Sequence, residues 1–176
     1  MSHKILIVDD ESENLRALER LFRRDYSVLT AASGAEALAL LEQHDVALLI
    51  SDQRMPGMTG IELVQRTVSL RPHMVRILLT GYSDVGTLIE AINSGHVYKY
   101  VTKPWNNEDL ALTVVRALEH FATIKTRHNV EMANDRLRDR LSEISHLASL
   151  EDELHDQDAS FGKPAEPDRQ LSFTSN

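Results

Sequence analysis

Acidic residues, a threonine and a lysine follow the apolar runs of this chain, and their types and spacing indicate chemistry. They are Asp9, Asp10, Asp52, Thr80 and Lys103. Carboxylate oxygens, here those of Asp10 and Asp52 with Asp9 acting through water, are ligands that Mg²⁺ prefers. A carboxylate is also a competent nucleophile towards a phosphoryl group, and an ammonium and a hydroxyl can stabilise the phosphoryl oxygens. The set therefore predicts Mg²⁺-dependent phosphoryl transfer to Asp52.

Each of these residues, taken alone, also has a purely structural explanation. Acidic residues at a strand end are commonly solvated, and Asp52, which precedes a Pro-Gly turn, can simply cap that turn. Thr80 can do no more than end a strand, and a lysine followed by proline often just opens a helix. The functional interpretation rests on the whole set occurring in order at the ends of successive apolar runs.

The elements that must position this chemistry follow from the alternation of short apolar runs with amphipathic segments. The apolar runs predict strands, and the amphipathic segments predict helices, the first of them capped by Ser12. The strands are predicted at 5–8, 26–30, 46–52, 74–80 and 97–101, and the helices at 12–24, 35–43, 61–69, 83–94 and from 106 onwards. This order predicts an α/β fold with a doubly wound, five-stranded parallel sheet. Right-handed crossovers bring the carboxyl ends of such strands to one edge, so the candidate residues should converge there.

Composition limits the class of protein. The 176 residues allow one well-buried domain and an extension. The absence of cysteine excludes disulfides and thiolate metal sites, and together with the acidic N-terminal segment, which is not a signal peptide, it favours a cytoplasmic protein. No apolar run approaches the length of a membrane span, so we expect no membrane insertion. A net charge of -8 argues against direct nucleic-acid binding.

Over residues 3 to 122 the chain resembles the receiver domain of two-component response regulators. The motifs that carry the resemblance are the Asp9-Asp10 pair, Asp52, the Met-Pro-Gly-Met-Thr-Gly loop at 55–60, Thr80 with the small Gly81 after it, and Lys103-Pro104. The resemblance implies a flavodoxin-like fold and a phosphoacceptor signalling domain with no enzymatic activity beyond its own phosphorylation and dephosphorylation.

The family's site residues can be carried over to matching positions. The resemblance implies that Asp52 receives a phosphoryl group from a sensor histidine kinase or a phosphotransfer protein. It also implies Mg²⁺ held by Asp10, Asp52 and the backbone carbonyl of Arg54, with Asp9 completing the acidic site. Thr80 and Tyr100 correspond to the switch residues, and the Lys103-Pro104 bond is expected to be cis. Arg54 and Tyr82 flank the site. The output partner is not indicated.

The helical pattern that begins at Asn106 continues beyond the end of a usual receiver. Neither glycine nor proline occurs before Gly162, and we expect a helix to about Asp156. Its apolar residues alternate as a- and d-type positions, with Asn134 as a polar a-type residue; they are Val130, Leu137, Leu141, Ile144 and Ala148. This spacing favours a parallel coiled-coil homodimer over a helix that packs on its own receiver or on a partner. The predicted organisation is a receiver at 1–122, a coiled-coil extension at 123–156 and a disordered tail at 157–176.

Three functions remain to be separated. In the first, phosphorylation of Asp52 controls dimerisation or partner binding through the C-terminal helix. The second is a constitutive coiled-coil scaffold with a receiver fold. The third is an aspartyl-phosphate phosphohydrolase, a class that generally carries a second acid two residues after its nucleophile; here that position is Arg54.

Overall fold

A computed structural model describes residues 3–81 and 96–160, the last ten of these by their helical backbone. The helix predicted at 83–94, the flanking residue Tyr82 and the part of the predicted tail at 161–176 lie outside the described residues.

Five parallel strands form a single sheet in the order β2-β1-β3-β4-β5. Their bounds are β1 Lys4–Val8, β2 Ser27–Ala31, β3 Leu48–Asp52, β4 Val75–Thr80 and β5 Lys99–Thr102. At one edge of the sheet, the register aligns Val8 with Ser51 and Thr80 with Thr102. The predicted fold is therefore confirmed, and the ends of the strands that carry the candidate residues meet at that edge.

Helices cover both faces of the sheet. The described helices are α1 Ser12–Phe22, α2 Gly34–Gln43, α3 Gly60–Leu70 and α4 Asn107–Ser160. Successive strand residues point to opposite faces, so Ile5 and Ile7 lie in a core with α1 and the first turns of α4, whereas Leu6 and Val8 lie in a core with α2 and α3. Two buried cores flank a sheet whose central strands are apolar on both sides, as in other parallel sheets.

The beginning of α1 differs from the prediction. Glu11, not Ser12, occupies the N-cap position, and its side chain makes no capping hydrogen bond. The reason is local: the backbone N–H of Glu11 donates to Asp9 Oδ1 at 2.8 Å, so the Asp9 carboxylate fixes the entry to the helix. The prediction that Ser12 caps this helix is wrong.

The chain divides into two compact units within the long helix α4. The first unit ends at His128 and the second begins at Asn129. The helix continues to Ser160, four residues past the predicted limit, and so includes residues 157–160 of the predicted tail. In the second unit the side chains of Leu137, Leu141 and Ile144 are 56%, 65% and 60% exposed. Within the described ranges, no helix is long and apolar enough to cross a membrane.

Candidate functional site

Asp9 is a completely buried carboxylate at the end of β1, and donors from three segments surround it. The backbone N–H of Glu11 donates to Oδ1. The side-chain amide of Asn14 and the ammonium of Lys103 both donate to Oδ2, each at 3.1 Å. A charge buried in this way is tolerated because it is paired and hydrogen-bonded. Asp9 thus ties the end of β1 to α1 and to the loop after β5.

Asp52 ends β3 and is the second carboxylate bound by Lys103. Its Oδ1 lies 2.7 Å from the Lys103 Nζ, and its Oδ2 accepts a hydrogen bond of 3.0 Å from the backbone N–H of Arg54. The lysine side chain is 24% exposed and bridges Asp52 and Asp9. The backbone N–H of Lys103 donates to the Thr80 carbonyl at 2.7 Å, and the Lys103-Pro104 bond is cis, as expected. The loop after β5 therefore aims the ammonium at both acids.

Burial and charge act in opposite directions on the pKa values of Asp52 and Lys103. Burial raises the pKa of the Asp52 carboxyl, and the hydrogen bond and charge of Lys103 counteract that shift. Burial acts to lower the pKa of the Lys103 ammonium, but the hydrogen bonds and charges of Asp52 and Asp9 outweigh it and raise that pKa. Lys103 is therefore held in its charged form between the two carboxylates.

The acidic cluster has the donor set of a hard cation site. Carboxylate oxygens of Asp9, Asp10 and Asp52 lie within 4.8 Å of one another, and Asp10 is exposed while the other two are buried. The described residues contain no other such group of three histidine or acidic side chains. All-oxygen ligands with an open, solvent-facing side fit Mg²⁺, which keeps several of its waters.

The remaining predicted residues lie at the same edge or beside it. Thr80 is buried at the end of β4, and its hydroxyl donates to the Gly81 carbonyl at 3.1 Å. Arg54 is exposed, two residues after Asp52. Tyr100 is half-buried on β5 against the core that contains α2 and α3. The structure thus brings Asp9, Asp10, Asp52 and Lys103 together. Tyr100 is not part of this cluster and packs on the face of the sheet that α2 and α3 cover.

The loop between β3 and α3 holds Asp52 in place through contacts that the sequence analysis missed. The side chain of Gln53 accepts a hydrogen bond of 3.1 Å from the Ile61 N–H at the start of α3. The backbone N–H of Gly60 donates a hydrogen bond of 3.0 Å to the Gln53 carbonyl and so closes the loop. Thr59 and Glu62 form a reciprocal capping box at the start of α3. The spacing of Thr59 and Glu62 was a detectable signal for that cap.

An open cavity of about 420 Å³ lies on the α1 side of the lysine. Its lining comprises Glu11, Asn14, Lys103, Pro104 and Trp105. Asn14 is a further residue that the sequence analysis missed, because a single amide near the start of a helix is not by itself a signal for a contact with a carboxylate.

Comparison with known proteins gives a consistent result. The family model described as the response regulator receiver domain matches residues 5–115. The hydrogenase transcriptional regulatory protein HoxA of Cupriavidus necator is 40% identical over 128 residues, which cover 73% of this chain and 27% of that protein. The chain spans about a quarter of the length of the curated relatives that it matches.

Two solved structures have a similar fold. The response regulator receiver domain protein of Clostridium thermocellum is 31% identical with a TM-score of 0.66, and the match covers 69% of this chain and 98% of that one. The signal receiver domain of an HD domain-containing protein from Pseudomonas fluorescens Pf-5 is 36% identical with a TM-score of 0.68, covering 72% of this chain and 93% of that one.

Proposed function

The chain belongs to the response regulator receiver domain family of two-component signal transduction, and we propose that Asp52 accepts a phosphoryl group from a sensor histidine kinase or a phosphotransfer protein. The observation that carries the proposal is the single ammonium of Lys103 between Asp52 and Asp9, at 2.7 and 3.1 Å, beside the exposed carboxylate of Asp10.

The chemistry assigned to Asp52 is a displacement at phosphorus. As a carboxylate oxygen of Asp52 bonds to phosphorus, the bond from phosphorus to the donor's imidazole nitrogen breaks, and the electron pair leaves with that nitrogen. Little covalent work is required of the protein, so positioning and charge neutralisation dominate. Lys103 is placed to neutralise one phosphoryl oxygen, and Thr80 at the end of the adjacent strand is the proposed hydrogen-bond donor to another.

We assign a Mg²⁺ ion to the acidic cluster. Asp10, Asp52 and the Arg54 carbonyl would hold it, with Asp9 acting through water, since Lys103, Asn14 and the Glu11 N–H already bond to the Asp9 oxygens. When bound, the ion supplies positive charge against the phosphoryl oxygens.

Labelling with radioactive acetyl phosphate tests the proposal. We expect the full chain to be labelled in the presence of Mg²⁺, and both Asp52→Asn and removal of Mg²⁺ with EDTA to abolish labelling. Asp45→Asn is the matched control, because the Asp45 side chain is 76% exposed, pairs only loosely with Lys125 at 3.4 Å and lies outside the acidic cluster. Labelling that survives Asp52→Asn, or that needs no divalent cation, would overturn the proposal.

The readout that we propose is a change on the Tyr100 side of the sheet and in the assembly of the C-terminal helix. Phosphorylation would draw Thr80 towards the phosphate and turn Tyr100 inwards, as the family resemblance implies. We also propose that the protein is cytoplasmic and that it acts through its partners without binding nucleic acid itself. Support comes from the half-buried position of Tyr100 and from the exposed apolar side chains of the helix.

A constitutive scaffold is the second candidate, and those same exposed helix residues favour it, because a permanent coiled coil needs no phosphate. Hydrogen exchange around Tyr100, with and without beryllium fluoride as a phosphoryl mimic, separates the two. Slower or faster exchange on adding the mimic supports a switch, and unchanged exchange supports the scaffold. A phosphohydrolase is disfavoured by Arg54 at the position where that class generally has an acid; turnover of a simple phosphate ester would revive it.

A further inference from the structure

We propose that Asn14 is a positioning residue for Lys103: its side-chain amide holds Asp9, so that the lysine ammonium can turn from Asp9 towards a phosphoryl group on Asp52. The inference rests on the proposed function of Asp52 as phosphoacceptor and assigns a role to a residue of α1 that is not itself part of the acidic cluster.

The geometry places two donors on one oxygen. Asn14 Nδ2 and Lys103 Nζ each lie 3.1 Å from Oδ2 of Asp9, and Oδ1 is already taken by the backbone N–H of Glu11 at 2.8 Å. Lys103 is also 2.7 Å from Asp52. Asp9 is completely buried, whereas Asn14 is only partly buried. Oδ2 of Asp9 therefore has two donors: Asn14, and Lys103, which also binds Asp52.

Phosphorylation changes what Lys103 must bind. Once Asp52 is an acyl phosphate, its negative charge lies further out, on the phosphoryl oxygens, and the ammonium gains most by following it. A buried carboxylate that loses its cation without another donor is costly. Asn14 remains on Oδ2 of Asp9 when the lysine turns away, so it lowers the cost of that movement.

The side chain of Lys103 is not enclosed on the side of α1. Lys103 and Asn14 both line the open cavity of about 420 Å³. Trp105, which lines the same cavity, is the only tryptophan of the 176 residues. Its fluorescence therefore reports on this position without interference from another indole.

The experiment measures two affinities of the full chain by Trp105 fluorescence: first for Mg²⁺, then for beryllium fluoride in saturating Mg²⁺. We expect Asn14→Ala to weaken beryllium fluoride binding roughly tenfold, the lower end of the range for losing one hydrogen bond to a charged group. Mg²⁺ affinity should be unchanged or higher, because the cation meets a carboxylate with one donor fewer. Asn14→Gln, which keeps the amide, should recover most of the loss.

The controls separate positioning from damage to the fold. Alanine is a better helix former than asparagine, so Asn14→Ala should keep α1 intact. Glu13→Ala, at the exposed preceding residue, should behave as the wild type. In a Lys103→Met background, adding Asn14→Ala should have no further effect on beryllium fluoride binding, because the residue acts through the lysine.

Several results would overturn the inference. Equal weakening of both affinities by Asn14→Ala would indicate general disruption, and wild-type affinities in Asn14→Ala would show that the amide has no role. Additive losses in the Lys103→Met background would show that Asn14 does not act through Lys103. If the wild-type chain itself fails to bind beryllium fluoride, the phosphoacceptor proposal fails first, and this inference fails with it.

Discussion

Gly60 shows how closely a single residue confines the candidate phosphoacceptor. A Cβ atom at this position would overlap the backbone carbonyl oxygen of Asp52 and lie 3.0 Å from the Gln53 Cα. These are backbone atoms, which cannot move aside without displacing the end of β3. We expect Gly60→Ala to lower the free energy of unfolding by about 3 kcal/mol and to reduce labelling of Asp52 by acetyl phosphate. Urea denaturation and the labelling assay measure the two effects.

Gly57, three residues earlier, is the matched control for Gly60→Ala. Its φ is +79°, in a γ-turn where the Met58 N–H donates to the Pro56 carbonyl, and a Cβ there would meet nothing within 4 Å. Gly57→Ala should therefore cost only the backbone strain of about 1–2 kcal/mol and leave labelling intact. Equal labelling by both variants would show that the close approach of Gly60 to Asp52 does not matter for phosphoryl transfer.

At the same scale, the sequence was informative about some residues and silent about others. Asp9, Asp52 and Lys103 could be predicted to converge because each comes at or just after the carboxyl end of a recognisable strand. The role of Asn14 was not visible, since one amide on a polar helix face resembles any solvated residue. Its significance depends on which oxygen it reaches, and that is set by the angle at which α1 leaves β1.

The helix α3 is held at its C-terminal end by a buried arginine of the neighbouring strand. Arg76 is 5% exposed and donates to the Thr67 hydroxyl and to the carbonyls of Thr67, Arg71 and Met74 at 2.7–2.9 Å. Burial lowers its pKa to about 10, so it stays charged at neutral pH. The cation therefore faces carbonyls at the negative end of the helix dipole.

We expect Arg76→Met to lower the free energy of unfolding by roughly 3–5 kcal/mol, because it leaves buried carbonyls without donors. Arg76→Lys should recover only part of this loss, since an ammonium lacks the planar fork of the guanidinium. Arg66→Met, on the exposed face of the same helix, is the control and should change stability by less than about 0.5 kcal/mol. Urea denaturation gives all three values. A loss at Arg76 no larger than that at Arg66 would contradict this capping role.

Elements were more predictable than their ends. The three central strands follow from mainly apolar runs, because a strand covered on both faces buries most of its side chains. The edge strands β2 and β5 were also predicted, although polar residues interrupt their sequences. The first helix was placed correctly but its cap was assigned wrongly, because Asp9 takes the N–H of Glu11 through a contact formed only at the sheet edge. Arg76 interrupts an apolar run and would ordinarily indicate a solvent-facing strand residue. Only the position of the α3 C-terminus explains it.

At the scale of the whole molecule, the exposed apolar residues of the second unit call for a covering surface. Leu137, Leu141 and Ile144 are all more than half exposed and follow the a- and d-type spacing of a coiled coil. The adjacent Ser142 is also exposed but lies outside that spacing. A parallel pair of these helices would bury the three residues against their counterparts and place Asn134 opposite itself, which restricts the register.

Light scattering of the full chain, with and without Mg²⁺ and beryllium fluoride, tests this arrangement. We expect the wild type to reach twice 19.9 kDa in at least one of the two conditions. Leu141→Glu should return it to the monomer mass, since a carboxylate in the seam would be desolvated opposite its own copy. Ser142→Glu adds the same charge to the neighbouring position and should leave the mass unchanged.

A dimer present only with beryllium fluoride makes phosphorylation the assembly switch, and a dimer in both conditions makes the coiled coil permanent. A wild type that stays monomeric throughout, or a Leu141→Glu variant that remains dimeric, would rule out pairing through this seam.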